Sequence, residues 1–250
     1  MHVTPIKTNA ISPLDSLNNV FDTYLPKLKE RDILVVTSKI VSICEGRVVT
    51  NDDAVDKDHL IESESDYYLD PSVSRYHVTL TIKNNMLVAS SGIDESNGNG
   101  SFVLWPKNAH ESADLIWQYL RTKHMLTHFG VLITDSRTVP LKWGTIGAAL
   151  SWCGFVPLKN YIDEPDIYGK RLRMTKQSII EGLAASAVLT MGEGNEQTPL
   201  AVICDVPFVE FVDHPPTKQE RDDLVIDPKD DLYAPLLTSV NWKKGKRQLP

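Results

Sequence analysis

The chain has 250 residues, 42% of them hydrophobic and 24% charged, with a formal net charge of −7. That composition excludes a disordered or fibrous chain, and the acidic balance excludes a general nucleic-acid binder, which needs a basic face to neutralise phosphates. No apolar run approaches the roughly 20 residues of a membrane helix, and the three cysteines form no CxxC pattern, so the reading is no membrane span, reduced thiols and a cytoplasmic address.

In chain order, the first strong signal is DILVVTSKIVSI, Asp32 to Ile43. Its β-branched residues run too continuously for an amphipathic helix and predict one buried strand, or a strand running into a polar elbow at Thr37, Ser38 and Lys39. HVTLTIKNNMLVAS alternates on either side of Asn84 and Asn85, which tolerate positive φ, and predicts a β-hairpin. SSGIDESNGNG, Ser90 to Gly100, follows directly and holds Asp94, Glu95, Asn97 and Asn99, more polar side chains than a turn requires. Either those side chains only bond the local backbone, or their oxygens bind a ligand.

HESADLIWQYLRTKH has apolar residues at helical spacing, with acid near its start and base near its end, and predicts a packing helix. GVLITDS predicts a short strand ending in Asp135 and Ser136. YGKRLRMT gathers Lys170, Arg171 and Arg173, either a site for an anionic substrate or an exposed basic helix start. TKQSIIEGLAASAVLTMGEG predicts a long helix capped at Thr175 and broken at Gly192. PLAVICDV and PFVEFV predict two further strands, DHPPTKQERDDLVIDPKDDLY an extended segment, and WKKGKRQ at the C-terminus a solvated basic tail without a role. With no linker or repeat, residues 1–250 read as one compact α+β unit, residues 206–250 being a strand plus an extended C-terminal segment.

The recurring chemical pattern is an apolar strand that delivers an acid into a polar turn. Asp94 follows one such strand, Asp135 and Ser136 another, and a third acid, Glu193, follows the end of the long helix. Hard divalent cations want such oxygens, although acids at loop tips are also common as solvated groups. Lys39, just past a buried strand, is placed to meet a phosphate or to sit in solvent. There is no GxxxxGK[ST] phosphate loop, and Cys153, Ser178 and the histidines show no nucleophile or ligand spacing.

Five motifs in order, TSKIVSICEGRVV, SSGIDESN, LITDS, DIYGKRLRMT and LAASAVLTMGEGNEQTPLAVI, resemble the γ-glutamyl ligase family of CofE, which adds glutamate to the deazaflavin coenzyme factor 420. The resemblance covers Ile11 to Pro207. It implies a largely antiparallel, mixed-sheet α+β fold with packed helices, a homodimer, and a ligase that uses GTP or ATP. Such a ligase phosphorylates an acceptor carboxylate, and the amine of L-glutamate attacks the resulting acyl phosphate. The implied cofactors are Mg²⁺ or Mn²⁺ at two sites, with a monovalent cation as a further option.

Position by position, the resemblance places Asp94, Asp135, Ser136 and Glu193 on metal, with Lys39, Asp94 and Asp135 as the catalytic set. Ser38, Lys39, Asn97 and Met191, Gly192, Glu193 and Gly194 fall on nucleotide contacts, while Lys170, Arg171 and Arg173 are substrate-binding candidates from their clustering alone. Two departures bear on the acceptor: Ile43 replaces a lysine of the family pattern, and DSRTVPLKWG lacks the GR pair of DTFGRPWRxG. They turn the expected acceptor toward a folate, the pterin branch. The alternatives are a deazaflavin acceptor and a catalytically silent nucleotide-binding homologue.

Overall fold

The computed structural model describes residues 1–52 and 54–247. In chain order these form β1 (His2–Ile6), α1 (Leu17–Tyr24), β2 (Ile33–Thr37), α2 (Ser38–Cys44), β3 (Val48–Thr50), α3 (Lys57–Glu64), β4 (Tyr67–Tyr68), β5 (Leu80–Lys83), β6 (Met86–Ala89), β7 (Ser101–Val103) and α4 (Ala109–His124). There follow β8 (Gly130–Thr138), β9 (Thr145–Cys153), β10 (Leu158–Asn160), β11 (Lys176–Ser178), α5 (Ile179–Met191), β12 (Leu200–Cys204), α6 (Lys218–Asp222), α7 (Ala234–Leu237) and β13 (Lys243–Lys244).

The organising element is a five-stranded sheet in the order β1-β12-β2-β8-β9, antiparallel except where β2 runs parallel to β8. Its central strand explains the continuous apolar run at Ile33–Val36. Leu34 and Val36 pack on one face with Ala113, Ile116, Trp117 and Leu120 of α4, while Ile33 and Val35 pack on the other with Leu183, Ala184 and Ala187 of α5. A strand buried on both faces has no polar side to alternate with. The fold is thus α+β with mixed, mostly antiparallel sheets, as expected.

A second, four-stranded sheet runs β13-β4-β5-β6. Its β5–β6 hairpin turns at Asn84 and Asn85, with φ of 50° and 59°, as the alternation and the paired asparagines predict. Helix α4 and strand β12 also lie where the sequence puts them.

Five expectations are corrected. Residues 38–44 form helix α2 and not a continued strand, because Ser38, Ile40, Val41, Ser42 and Ile43 are all buried and tertiary packing overrides β propensity. Helix α5 begins at Ile179 with Ser178 as its cap, accepting from the Glu181 N–H, while residues 176–178 are strand β11, so Thr175 caps nothing. PFVEFV makes only an isolated bridge between Phe155 and Phe211. The extended segment after Asp213 contains α6, started by a capping box between Thr217 and Glu220.

The basic C-terminal run is docked rather than free, although Lys243, Lys244 and Lys246 stay exposed. β13 pairs with β4, Lys243 and Lys246 reach Asp70 and Glu62 at 2.9 and 3.1 Å, and the Arg247 guanidinium grips Asp66. Gln248, the last residue of WKKGKRQ, lies outside the described residues. Strand β9, which the sequence reading passed over, is one of the two longest.

Candidate active site

A cleft of about 860 Å³ opens where four chain segments meet: the β2–α2 junction, the loop between β6 and β7, the outer half of β8, and the loop after α5. The β2–α2 junction and the loop after α5 leave the central sheet and its flanking helix at an end, the β6–β7 loop leaves the edge of the second sheet, and the outer half of β8 has lost its β2 neighbour while still pairing with β9. Lys39, Asp94, Asn97, Asp135, Ser136, Met191, Gly192, Glu193 and Gly194 all line it. Ser38 is buried at the start of α2 and is not part of the wall, which Thr37 and Lys39 form instead. Lys170, Arg171 and Arg173 lie in the exposed β10–β11 connection, apart from the cleft, and Arg171 donates to the Asp163 carbonyl at 2.7 Å.

Lys39 is not among the buried residues of α2, and its Nζ stands 2.6 Å from Asp94 Oδ2. It also donates to the Ser96 carbonyl at 2.9 Å. Asp94 is held from both sides, since its Oδ1 accepts from the Ser96 N–H at 2.7 Å and from the Ser96 hydroxyl at 2.8 Å. Burial would raise its pKa, but the Lys39 ammonium and the Ser96 donors outweigh it and hold the carboxyl below the usual range. Asn97, at φ 53°, donates its side-chain amide to the Gly194 carbonyl at 3.1 Å, tying the two polar loops together across the cleft.

Asp135 is placed by a change in the sheet. β2 stops pairing with β8 at Thr37 opposite Thr134, and β8 runs on with β9 alone, so Asp135 and Ser136 project past the end of β2 into the cleft. Asp135 is part buried, and the loss of solvent around its carboxyl pushes its pKa up to about 6, against the Trp105 and Ser136 N–H groups and with the Asp94 charge adding to the rise. Ser136 donates its hydroxyl to Glu193 Oε1 at 2.7 Å. The loop beyond α5 folds around Glu196, whose carboxylate accepts the Gly194 N–H at 2.8 Å; a Cβ on Gly192, at φ 82°, would fall 2.4 Å from that carboxyl carbon.

The donor set fits a hard divalent cation. The Asp94 charge makes ionisation of the neighbouring Asp135 carboxyl costlier, a cost that a cation between them would relieve, a third acid stands across from them on a serine hydroxyl, and the Thr134 hydroxyl is buried at the cleft wall with no hydrogen-bond partner among the described residues. Among the described residues, however, no three acids, cysteines or histidines stand in one preformed cluster, and Lys39 neutralises Asp94. The four oxygen-bearing residues therefore form a divided site, with Asp94 and Asp135 on one side and Ser136 and Glu193 on the other.

Three contributors escaped the sequence reading. Trp105 donates its indole N–H to Asp135 Oδ2 at 2.5 Å, Glu196 organises the glycine loop, and Thr134 lines the wall. Glu196 was visible as the second acid of GEGNEQ; nothing local in FVLWP marks Trp105. Ile43 of α2, where the family pattern has lysine, lines the cleft and is buried.

A model of the family described as F420-0:Gamma-glutamyl ligase matches residues 5–205, a span that holds every cleft acid and stops before α6. A coenzyme F420:L-glutamate ligase from Methanosarcina barkeri is 34% identical over 191 residues, covering 71% of this chain and 74% of its own. A protein of the same name from Methanocaldococcus jannaschii is 29% identical over 197 residues, covering 72% and 79%. One from Methanococcus maripaludis is 31% identical over 195 residues, covering 72% and 78%.

Proposed function

The chain belongs to the F420-0:gamma-glutamyl ligase family, and from that premise we propose that it is an amide-forming ligase joining an acceptor carboxylate to the amine of L-glutamate with consumption of GTP or ATP. The observation that carries this reading is the convergence of Lys39, Asp94, Asn97, Asp135, Ser136 and Glu193, from four distant chain segments, on one cleft.

In the proposed reaction an acceptor carboxylate oxygen attacks the terminal phosphorus of the nucleotide and the nucleoside diphosphate leaves. The glutamate amine then attacks the acyl carbon, phosphate leaves, and the amine proton passes to water. Phosphoryl transfer of this kind needs positioning and charge neutralisation more than a protein nucleophile. Lys39 offers an ammonium to the transferred group, Asn97 and the Met191–Gly194 segment frame the nucleotide, and Asp94, Asp135, Ser136 and Glu193 would hold Mg²⁺ or Mn²⁺. When bound, those ions neutralise phosphate charge and draw the reacting oxygens together.

For the acceptor, the names of the relatives favour a deazaflavin of the coenzyme F420 type, the alternative noted above, over the folate drawn from DSRTVPLKWG. A homodimer, a cytoplasmic address and a monovalent cation belong to the same proposal. The test is a panel of deazaflavin and folate acceptors with L-glutamate, GTP or ATP, Mn²⁺ or Mg²⁺, and with or without K⁺. A glutamate mass increment on the deazaflavin alone supports the full reading; an increment on the folate alone reverses the acceptor.

A second reading, a silent nucleotide-binding homologue, is favoured by Ile43, which sets an apolar side chain in the cleft wall where the family pattern has a cation. Nucleotide binding without turnover of any acceptor in the panel would select it.

A further inference from the structure

We propose that Trp105 is a positioning residue that locks the Asp135 carboxylate and the Asp94 turn into one arrangement, and that a part-buried Arg47–Glu64–Lys83 network holds Trp105 in turn. The proposal rests on the ligase reading of the cleft. Trp105 lies just past β7, 3% exposed, and does not itself line the cleft.

One indole touches both acid-bearing segments. Its Nε1–H donates to Asp135 Oδ2, which fixes the carboxylate rotamer and leaves Oδ1 directed elsewhere. Its edge also lies against Gly92, two residues before Asp94: a Cβ on Gly92 would fall 2.2 Å from Cε2 and Nε1 of the ring. No other residue type fits at position 92 with the ring where it is.

The back of the ring is held by charges that a packing role would not require. Lys83 Nζ stands 5.1 Å from the Trp105 ring centroid, and the Arg47 Nε–H donates to the Trp105 carbonyl at 3.1 Å. Glu64 bridges these two cations, accepting from Arg47 at 2.7 Å and from Lys83 at 2.8 Å. Lys83, 3% exposed, also donates to the Ser91 carbonyl at 3.2 Å.

That last bond reaches the turn that aims Asp94. Ser90 and Ser91 both hold left-handed backbone, φ 50° and 56°, a conformation that persists only where surroundings impose it. The Ser91 N–H donates to Thr81 Oγ1 at 2.9 Å and its hydroxyl to the Ile61 carbonyl at 3.0 Å. Burying a lysine and a glutamate is no better for stability than an apolar filling, so their retention beneath these two segments points to geometry as their use.

The experiment compares wild-type, Trp105→Phe, Trp105→His and Lys83→Met chains for Mn²⁺ affinity, read from the electron-paramagnetic signal of free Mn²⁺, and for kcat and acceptor KM. Loss of a group that orients a ligating side chain typically costs about 10–100-fold in metal affinity or activity. Trp105→Phe should lose that much in Mn²⁺ affinity and kcat with acceptor KM unchanged, and Trp105→His, which restores a ring N–H, should recover part of it. A role in packing alone predicts the opposite order, with Phe nearer wild type than His, and that order overturns the proposal. If Trp105→Phe does not fold, Lys83→Met, which keeps the indole, decides by the same readouts: lowered Mn²⁺ affinity supports the proposal and unchanged affinity overturns it. A wild-type chain that neither binds Mn²⁺ nor turns over contradicts the ligase reading; a competent wild type with unaltered variants contradicts only the role of Trp105.

Discussion

Lys39 Nζ lies 2.6 Å from Asp94 Oδ2, so the ammonium occupies one oxygen of an acid proposed to hold a divalent cation. Charge on that carboxylate is shared between a fixed cation and an exchangeable one. Lys39→Met should therefore leave Mn²⁺ binding as tight as wild type or several-fold tighter, while nucleotide KM rises and kcat falls. Looser Mn²⁺ binding in that variant would show that Lys39 organises the metal site and does not compete with it. Asp94→Asn should lose at least about a hundredfold in turnover. The pair is partly exposed, 25% and 41%, and screened, so losing it should change stability by no more than about 1 kcal/mol, measured by urea unfolding.

Asp135 gives a pH signature with a definite sign. Burial raises its folded pKa to about 6, above the 3.8 of an ordinary aspartate, so the native state binds this proton more tightly than the unfolded chain. Its contribution is therefore most favourable below about pH 4 and is lost as pH rises through 6, on the order of 3 kcal/mol in total. Asp135→Asn should be more stable than wild type at pH 7 in the absence of divalent cations, with the difference vanishing near pH 4, and should be inactive. Equal stability of the two chains at pH 7 would remove the burial argument.

A neighbouring charge pair behaves in the opposite way. Burial opposes ionisation of Glu64, yet the Lys83 charge and the Lys83 and Arg47 hydrogen bonds outweigh it and hold its pKa low; burial also lowers that of Lys83. Glu64→Gln leaves a buried ammonium without its counter-charge and should cost about 3–5 kcal/mol. Breaking the exposed Lys218–Asp222 pair should cost less than about 0.5 kcal/mol. Urea titrations of both variants check the contrast.

The docked C-terminus makes a further distinction, because it braces β4 and the β5–β6 hairpin without touching the cleft. The Gly245 N–H donates to the Asp66 carbonyl at 2.9 Å, and the Arg247 guanidinium meets both Asp66 oxygens at 3.1 and 3.2 Å. Truncation after Val240 should lower stability by about 1–3 kcal/mol and leave nucleotide affinity within twofold. A large loss of nucleotide affinity at unchanged stability would place the tail at the site.

What the sequence made legible follows from how local each signal is. The β5–β6 hairpin was carried by alternation and two adjacent asparagines, and α4 by its apolar spacing, both complete within a dozen or so residues. The acids of the cleft were legible one at a time, as strand ends delivering Asp94 and Asp135, while their convergence rests on the parallel β2–β8 pairing, which no local pattern encodes. Helix α2 was misread because SKIVSIC is buried on several sides, which erases the amphipathic period. Trp105 and the tail were missed for the same reason: their partners, Asp135 and Asp66, are far along the chain.

The decisive measurement follows oxygen through the reaction. Acceptor labelled with ¹⁸O in its carboxylate is turned over with L-glutamate, nucleotide and Mn²⁺, and the released phosphate is weighed by mass spectrometry. Passage through an acyl phosphate moves one labelled oxygen into phosphate for each amide formed, and Asp94→Asn and Asp135→Asn yield neither product. Amide formed with unlabelled phosphate, or full turnover by either variant, would contradict acyl-phosphate chemistry in this cleft.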